Sequence, residues 1–193
     1  HPPLLLPILI LLHSAFCVSS TSLSFPSSGP SPFCQRFLVL LLDAAREILD
    51  RIKIAYEALP KWLQQGVIEW NKGSVEFENG CKIIAGSTSS SAIRGKSISF
   101  LYIDETAFVE NWDEFFASVF PTISSGKTTK MLYTSTPNGL NHFYKTCIGA
   151  KEDTNGFEYV EVPWQKVPGR DKAWQKETLA AMEGDTQKFS QEF

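Results

Sequence analysis

The chain has 193 residues, 43% of them hydrophobic and 20% charged, and a formal net charge of -3. That make-up belongs to a globular domain with a real core; it excludes disorder throughout and excludes a global basic field for holding nucleic acid, leaving only a local patch or another part of a larger protein. Four cysteines, Cys17, Cys34, Cys81 and Cys147, lie far apart with no C-x-x-C pair and too few nearby histidines for a zinc site, so they read as reduced thiols.

Composition changes along the chain. Of the 18 basic and 21 acidic residues only Arg36 falls in residues 1–42, which also hold six of the eleven prolines. The apolar run Leu4 to Phe16 is interrupted by Pro7 and His13 and is too short for a membrane span. It has no Lys or Arg before it, as a secretory signal would, and His1 rather than Met opens the chain. Residues 1–42 are therefore expected to be a foreign opening, such as a wrong reading frame, and residues 43–193 the part that folds.

From Asp43, a candidate N-cap, the apolar residues Ala44, Ala45, Ile48, Leu49, Ile52 and Ala55 fall at helical spacing, with Arg46, Glu47, Asp50 and Lys53 between them. Pro60 and Gly66 punctuate the end of that helix. Three short strands follow: Val67 to Trp70, Val75 to Phe77 and Lys82 to Ala85. The turns Asn71-Lys72-Gly73 and Asn79-Gly80 join them as hairpins. The segment Ala92-Ile93-Arg94-Gly95 then offers one arginine beside a flexible glycine, ten residues before Asp104.

Ile98-Ser99-Phe100-Leu101-Tyr102-Ile103 is an apolar, β-forming run that ends in Asp104 and Glu105. It reads as a buried parallel strand whose carboxyl end presents two acids at the crevice where α/β proteins bind ligands, the form of a Walker B strand. In such a site the first acid helps to hold Mg²⁺, a hard cation that prefers oxygen, and the second polarises the attacking water. The bland alternative is a solvated Asp-Glu turn.

Farther on, Ser124-Ser125-Gly126-Lys127-Thr128-Thr129-Lys130 contains the GKT that closes a phosphate-binding P-loop. A P-loop needs a glycine five residues before its second glycine and a helix after its Lys-Ser/Thr. Pro121 stands where that glycine belongs, and the β-rich Met131-Leu132-Tyr133 follows instead of a helix, so the stretch reads as a solvated turn feeding a strand. That strand leads into Thr134-Ser135-Thr136-Pro137-Asn138-Gly139, whose hydroxyls at a strand end can sense a γ-phosphate or its water. His142 is expected to pack or cap rather than act as a base, because no nucleophile pattern surrounds it. Trp62, Trp70, Trp112, Trp164 and Trp174 are too dispersed for a base-stacking platform and read mostly as core or interface aromatics. Lys127, Lys130 and Lys145 are phosphate-contact candidates only as any exposed lysine is.

Taken together, AYEALPKWLQQGVIEWNKGSVEFENG, SSSAIRGKS, FLYIDETAF and PTISSGKTTKMLYTSTPNGLNHFY resemble the large terminase subunit of tailed bacteriophages, over residues from about Ala44 to Phe193. The resemblance implies an α/β P-loop NTPase fold of the ASCE, RecA-like kind, a three-layer α-β-α sandwich with a mostly parallel sheet, here a partial domain. It implies an ATP-hydrolysing motor that drives viral DNA into procapsids, with ATP and Mg²⁺ as cofactors. By the same resemblance Asp104 is the metal residue and Glu105 the catalytic acid. Arg94 becomes a γ-phosphate contact or finger, and Thr134, Ser135 and Thr136 the nucleotide-coupling motif. The implied partners are double-stranded DNA, the portal protein, the small terminase subunit and further copies of the chain in a ring on the procapsid. The setting is the host cytoplasm, with no membrane. Two departures from the family stand out. Residues 1–42 contain Gly29 alone and no Lys, so no P-loop is expected there, and no nuclease carboxylates can be assigned. The competing readings are a DExD-box helicase or translocase fragment, from Asp104-Glu105-Thr106-Ala107 and the downstream TSTP, and a non-catalytic secreted or anchored module that takes the apolar opening at face value.

Overall fold

The computed structural model describes residues 15–19, 36–40, 45–88, 97–124 and 129–193. These form two compact units, one of Ser19–Asp104 with Val109–Leu132 and the other of His1–Val18, Glu105–Phe108 and Tyr133–Phe193.

In the first unit helix α1 (Ala45–Glu57) carries the predicted apolar stripe, with Leu49 buried. Beyond it the Gln64 side-chain amide donates to the carbonyls of Tyr56 at 3.2 Å and Leu59 at 2.9 Å, tying the chain that leaves the helix back to its last turn. Tyr56 packs its ring 5.7 Å from Trp70 and 6.0 Å from Phe77, which docks the helix on the hairpins that follow. Strands β3 (Val67–Trp70), β4 (Ser74–Phe77) and β5 (Lys82–Gly86) are where hydrophobic runs and turn residues put them, each antiparallel to the next. In the turn between β3 and β4 the Asn71 carboxamide oxygen accepts from the amides of Gly73 and Ser74, the local bonding that favours Asn in turns.

No strand is expected from the sequence within residues 1–42, yet two of the described strands lie there: β1 (Ala15–Ser19) and β2 (Arg36–Leu40). Strand β2 runs parallel to both β5 and β6 (Phe100–Ile103). Its register sets Leu40 level with both Gly86 and Ile103, so three parallel strands end together. Four apolar residues after Arg36, inside a longer Leu-rich opening, carry no period of their own, which is why periodicity does not single them out. The strand order in this unit is β3-β4-β5-β2-β6.

Helix α2 (Trp112–Ser124) follows, burying Phe115, Val119 and Ile123 at four-residue intervals. Asp113 and Glu114 lie in its first turn, where carboxylates favour the positive end of the helix dipole. Pro121 is in its last turn, so it is a helical residue and no part of a phosphate loop. Strand β7 (Lys130–Ser135) starts in this unit, its Lys130 amide donating to the Ser99 carbonyl. The GKT glycine and lysine lie outside the described residues, but the element after them is a strand, as expected. Among the described residues no helix is long and apolar enough to cross a membrane.

The second unit holds the end of β7, followed in sheet order by β1 and β8 (Phe157–Glu161), with helix α3 (His142–Lys151) packing on β8. Helices α4 (Lys172–Ala181) and α5 (Thr186–Glu192) are each N-capped by an aspartate, Asp171 and Asp185. They close an aromatic cluster in which Trp174 lies 5.7 Å from Trp164, 6.1 Å from Phe189 and 5.2 Å from Phe193. Arg170 sits over the rings of Trp174 and Phe193, a cation–π contact that fixes this corner. Trp164 and Trp174 thus serve packing, as expected, whereas Trp62 is 82% exposed. Cys81 and Cys147 are free thiols.

Three of the four residues of the parallel strand β6 are buried, and Leu101 is wholly inaccessible. Leu101→Ala should therefore lower the unfolding free energy by about 2–5 kcal/mol. Ile54→Ala, at an exposed helical position where alanine is the better helix former, should stay within about 0.5 kcal/mol of the parent. Urea denaturation followed by circular dichroism measures both.

Candidate functional site

Strand β6 delivers the acid pair to its carboxyl end. Leu101, Tyr102 and Ile103 are buried, and Asp104 follows at 4% exposure. A carboxylate is not kept that far from water without compensation, and Asp104 has interactions within the protein. The register of β2 makes this the edge at which β5 also ends, so the chain that leaves Gly86 toward Arg94 departs from the same end of the strands as Asp104. Arg94 itself lies in residues 89–96, outside the described residues.

Glu105, half-buried, has a φ of 49°, in the left-handed region that glycine tolerates and most side chains avoid. Holding such a residue costs of order 1–3 kcal/mol and persists where the surroundings over-determine it. Here they do. Thr106–Phe108 form a single 3₁₀ turn, with the Phe108 amide donating to the Glu105 carbonyl at 2.9 Å. The Ala107 amide donates to the Ser135 hydroxyl at 3.1 Å, and that hydroxyl donates to the Thr136 carbonyl at 2.9 Å. The carbonyl of Thr106 accepts from His142 Nε2 at 2.6 Å, and that of Ala107 from Asn141 Nδ2 at 2.7 Å. A carbonyl oxygen can only accept, so the Nε2 of His142 carries the proton in this arrangement.

Of the residues singled out from sequence, Glu105 and the segment Thr134, Ser135 and Thr136 belong to one unit, and Ser135 bonds directly to the turn after Glu105. All three hydroxyl residues are buried, Ser135 completely. The serine hydroxyl thus joins the end of β7 to the acid-bearing turn. Two participants are missing from the sequence-based site, Asn141 and His142. Asn141 was legible in principle, since an Asn directly before a helical stretch after Pro-Asn-Gly is a capping signal; its second bond, to a carbonyl 34 residues away, leaves no mark in sequence. His142, expected to pack or cap and not to act as a base, ties its ring to the turn.

As for Mg²⁺, such an ion is usually held by one or two carboxylates and otherwise by phosphate oxygens and water. A buried Asp104 at the end of a parallel strand fits that donor set. Among the described residues no cluster of three or more His, Cys, Asp or Glu is arranged to hold a metal by itself.

Three substitutions separate the local forces. Ser135→Ala leaves a buried Ala107 amide without its acceptor and should cost about 1–3 kcal/mol. Glu105→Gly trades relief of left-handed strain against the entropy of glycine and should leave stability within about 1 kcal/mol, whereas Glu105→Val should be clearly destabilised. Thermal unfolding of the three variants against the parent checks the order.

Comparison with known proteins gives the fold a family. A crystal structure of the HK97 bacteriophage large terminase superposes with a TM-score of 0.56 at 15% identity, covering 82% of this chain and 34% of that one, so the chain spans about a third of that protein's length. At that identity the likeness is one of fold: strands and helices with parallel pairing, corresponding to part of a terminase. A family model described as "Terminase large subunit, T4likevirus-type, N-terminal" matches residues 42–192. The match takes in both the acid pair and the Thr134–Thr136 segment, and the chain belongs to the terminase large subunit family.

Proposed function

We propose that this chain supplies the hydrolytic acids and the coupling segment of an ATP-driven motor that packages viral DNA. The observation that carries this reading is the turn after β6: a buried Asp104, then a left-handed Glu105 whose following peptide groups are bonded to Ser135 at the end of β7. A structural Asp-Glu turn in solvent needs neither the burial nor the strain. Family membership over residues 42–192 sets the prior for the same chemistry.

In this reading Asp104 is the oxygen ligand that holds Mg²⁺. When bound, Mg·ATP supplies the γ-phosphoryl group and the charge that neutralises its oxygens. Glu105 orients the attacking water and receives its proton, a role for which a fixed backbone is an advantage, because misplacement of a catalytic group is costly in rate. Thr134, Ser135 and Thr136 report the state of that turn along β7. By the family resemblance Arg94 supplies positive charge to the transition state. The partners proposed from the family are double-stranded DNA, the portal protein, the small terminase subunit and other copies of the chain in a ring on the procapsid, all in the host cytoplasm.

In this reading the GKT stretch that precedes β7 is a turn and not a phosphate cradle, and residues 1–42 hold one glycine and no lysine. The chain by itself should therefore release little phosphate from ATP. In the assembled motor Glu105→Gln should spare nucleotide binding while lowering turnover by about 10²–10⁴-fold, and Asp104→Asn should weaken Mg²⁺-dependent nucleotide binding. Steady-state phosphate release and nucleotide titration check both, and near-normal turnover by Glu105→Gln would remove the acid pair from the chemistry.

A further inference from the structure

The peptide groups after Glu105 have an unusual set of partners. The Ala107 amide is taken by the Ser135 hydroxyl, but the carbonyls of Thr106 and Ala107 are taken by side chains from the start of α3, with a longer 3.5 Å bond from Asn138 Nδ2 to Ala107 beside them. Asn141 does two separable things. Its Oδ1 accepts from the Tyr144 amide at 3.2 Å, which caps the helix, while its Nδ2 donates to Ala107 at 2.7 Å and to the Asn138 carbonyl at 2.9 Å. The cap alone would be served equally by Asp, Ser or Thr. A carboxylate can cap but cannot donate, whereas the carboxamide of Asn141 accepts through Oδ1 and donates through Nδ2. His142, the next residue, donates from Nε2 to Thr106, so two adjacent residues grip two adjacent carbonyls.

We propose that Asn141 and His142 are positioning residues that hold the turn bearing Glu105 in its left-handed arrangement and tie it to α3. The role of Glu105 rests on the function proposed above; the grip on its turn does not. A left-handed glutamate relaxes toward ordinary backbone angles unless the peptides after it are fixed. Thr106 is wholly buried and Ala107 nearly so, which leaves their carbonyls dependent on protein donors. The turn and the first residues of α3 therefore move together. A shift of α3 then alters the aim of the Glu105 carboxylate, and a change at Glu105 reaches α3 without passing through β7.

The test uses the 193-residue protein and amide hydrogen exchange read by NMR. Asn141→Asp keeps the cap and removes the donor. Exchange at Ala107 and Phe108 should rise about tenfold, the factor expected for the loss of one hydrogen bond, while Tyr144 and Lys145 in α3 keep their protection. His142→Phe should raise the same two amides, and His142→Gln, which places an amide donor near the same point, should restore them. The backbone resonances of Glu105 should shift in Asn141→Asp and His142→Phe and return in His142→Gln. Unchanged exchange at Ala107 and Phe108 in Asn141→Asp overturns the proposal. So does a rise spread equally over α3, because that would make Asn141 a helix cap and nothing more. Failure to rescue with Gln while Phe has an effect removes His142 from the grip. Because exchange is blind to nucleotide, these outcomes judge the grip alone, and turnover by Glu105→Gln separately judges the function.

Discussion

A peptide group shut away from water must find a partner in the protein, and that constraint is concentrated in the four residues after Asp104. The Ala107 and Phe108 amides and the Thr106 and Ala107 carbonyls are each bonded, to a serine hydroxyl, a backbone carbonyl, a histidine ring and an asparagine amide. Three of the four partners come from residues 135–142, about thirty positions downstream. The turn therefore cannot form until the end of β7 and the start of α3 are in place. Once formed, it has little freedom to relax Glu105 from its φ of 49°.

The placement of the acids follows from the strand before them. Leu101, Tyr102 and Ile103 are buried because β6 is flanked by the parallel strand β2, and side chains of a parallel strand face covered surfaces on both sides. A strand of that kind can carry polar residues only where it ends. Asp104 is the first such position, and the matched register of β2, β5 and β6 makes it an edge at which several chain segments emerge. This is the general location of ligand sites in open α/β sheets, created by the ends of the strands and not by any one of their residues.

Much of this was legible in the sequence where local signals agreed with each other. The β3–β4–β5 hairpins announce themselves through the turns Asn71-Lys72-Gly73 and Asn79-Gly80 between β-forming runs, and the acid pair through an apolar run that stops abruptly at Asp104. The strand expected at Met131-Leu132-Tyr133 after the GKT stretch is present as part of β7. What stayed hidden depended on distance in the chain. Strand β2 is five residues within an apolar opening, and only its pairing with β5 and β6 distinguishes it. The left-handed Glu105 has no sequence signature, since glutamate is among the less expected residues there. The bonds from Asn141 and His142 to the turn span 34 and 36 residues and join side chains to backbone, leaving no pattern of residue types to read.

The central claim is that Asp104 and Glu105 act on ATP in a DNA-packaging motor, and the most direct measurement is a structure of the assembled motor with Mg²⁺ and a non-hydrolysable ATP analogue. The account predicts an Asp104 carboxylate oxygen on the ion, directly at about 2.1 Å or through one of its waters. It also predicts Glu105 at about 2.6–3.2 Å from a water facing the γ-phosphate. A nucleotide bound with its γ-phosphate against other residues, and with neither acid facing ion, water or phosphate, would contradict it.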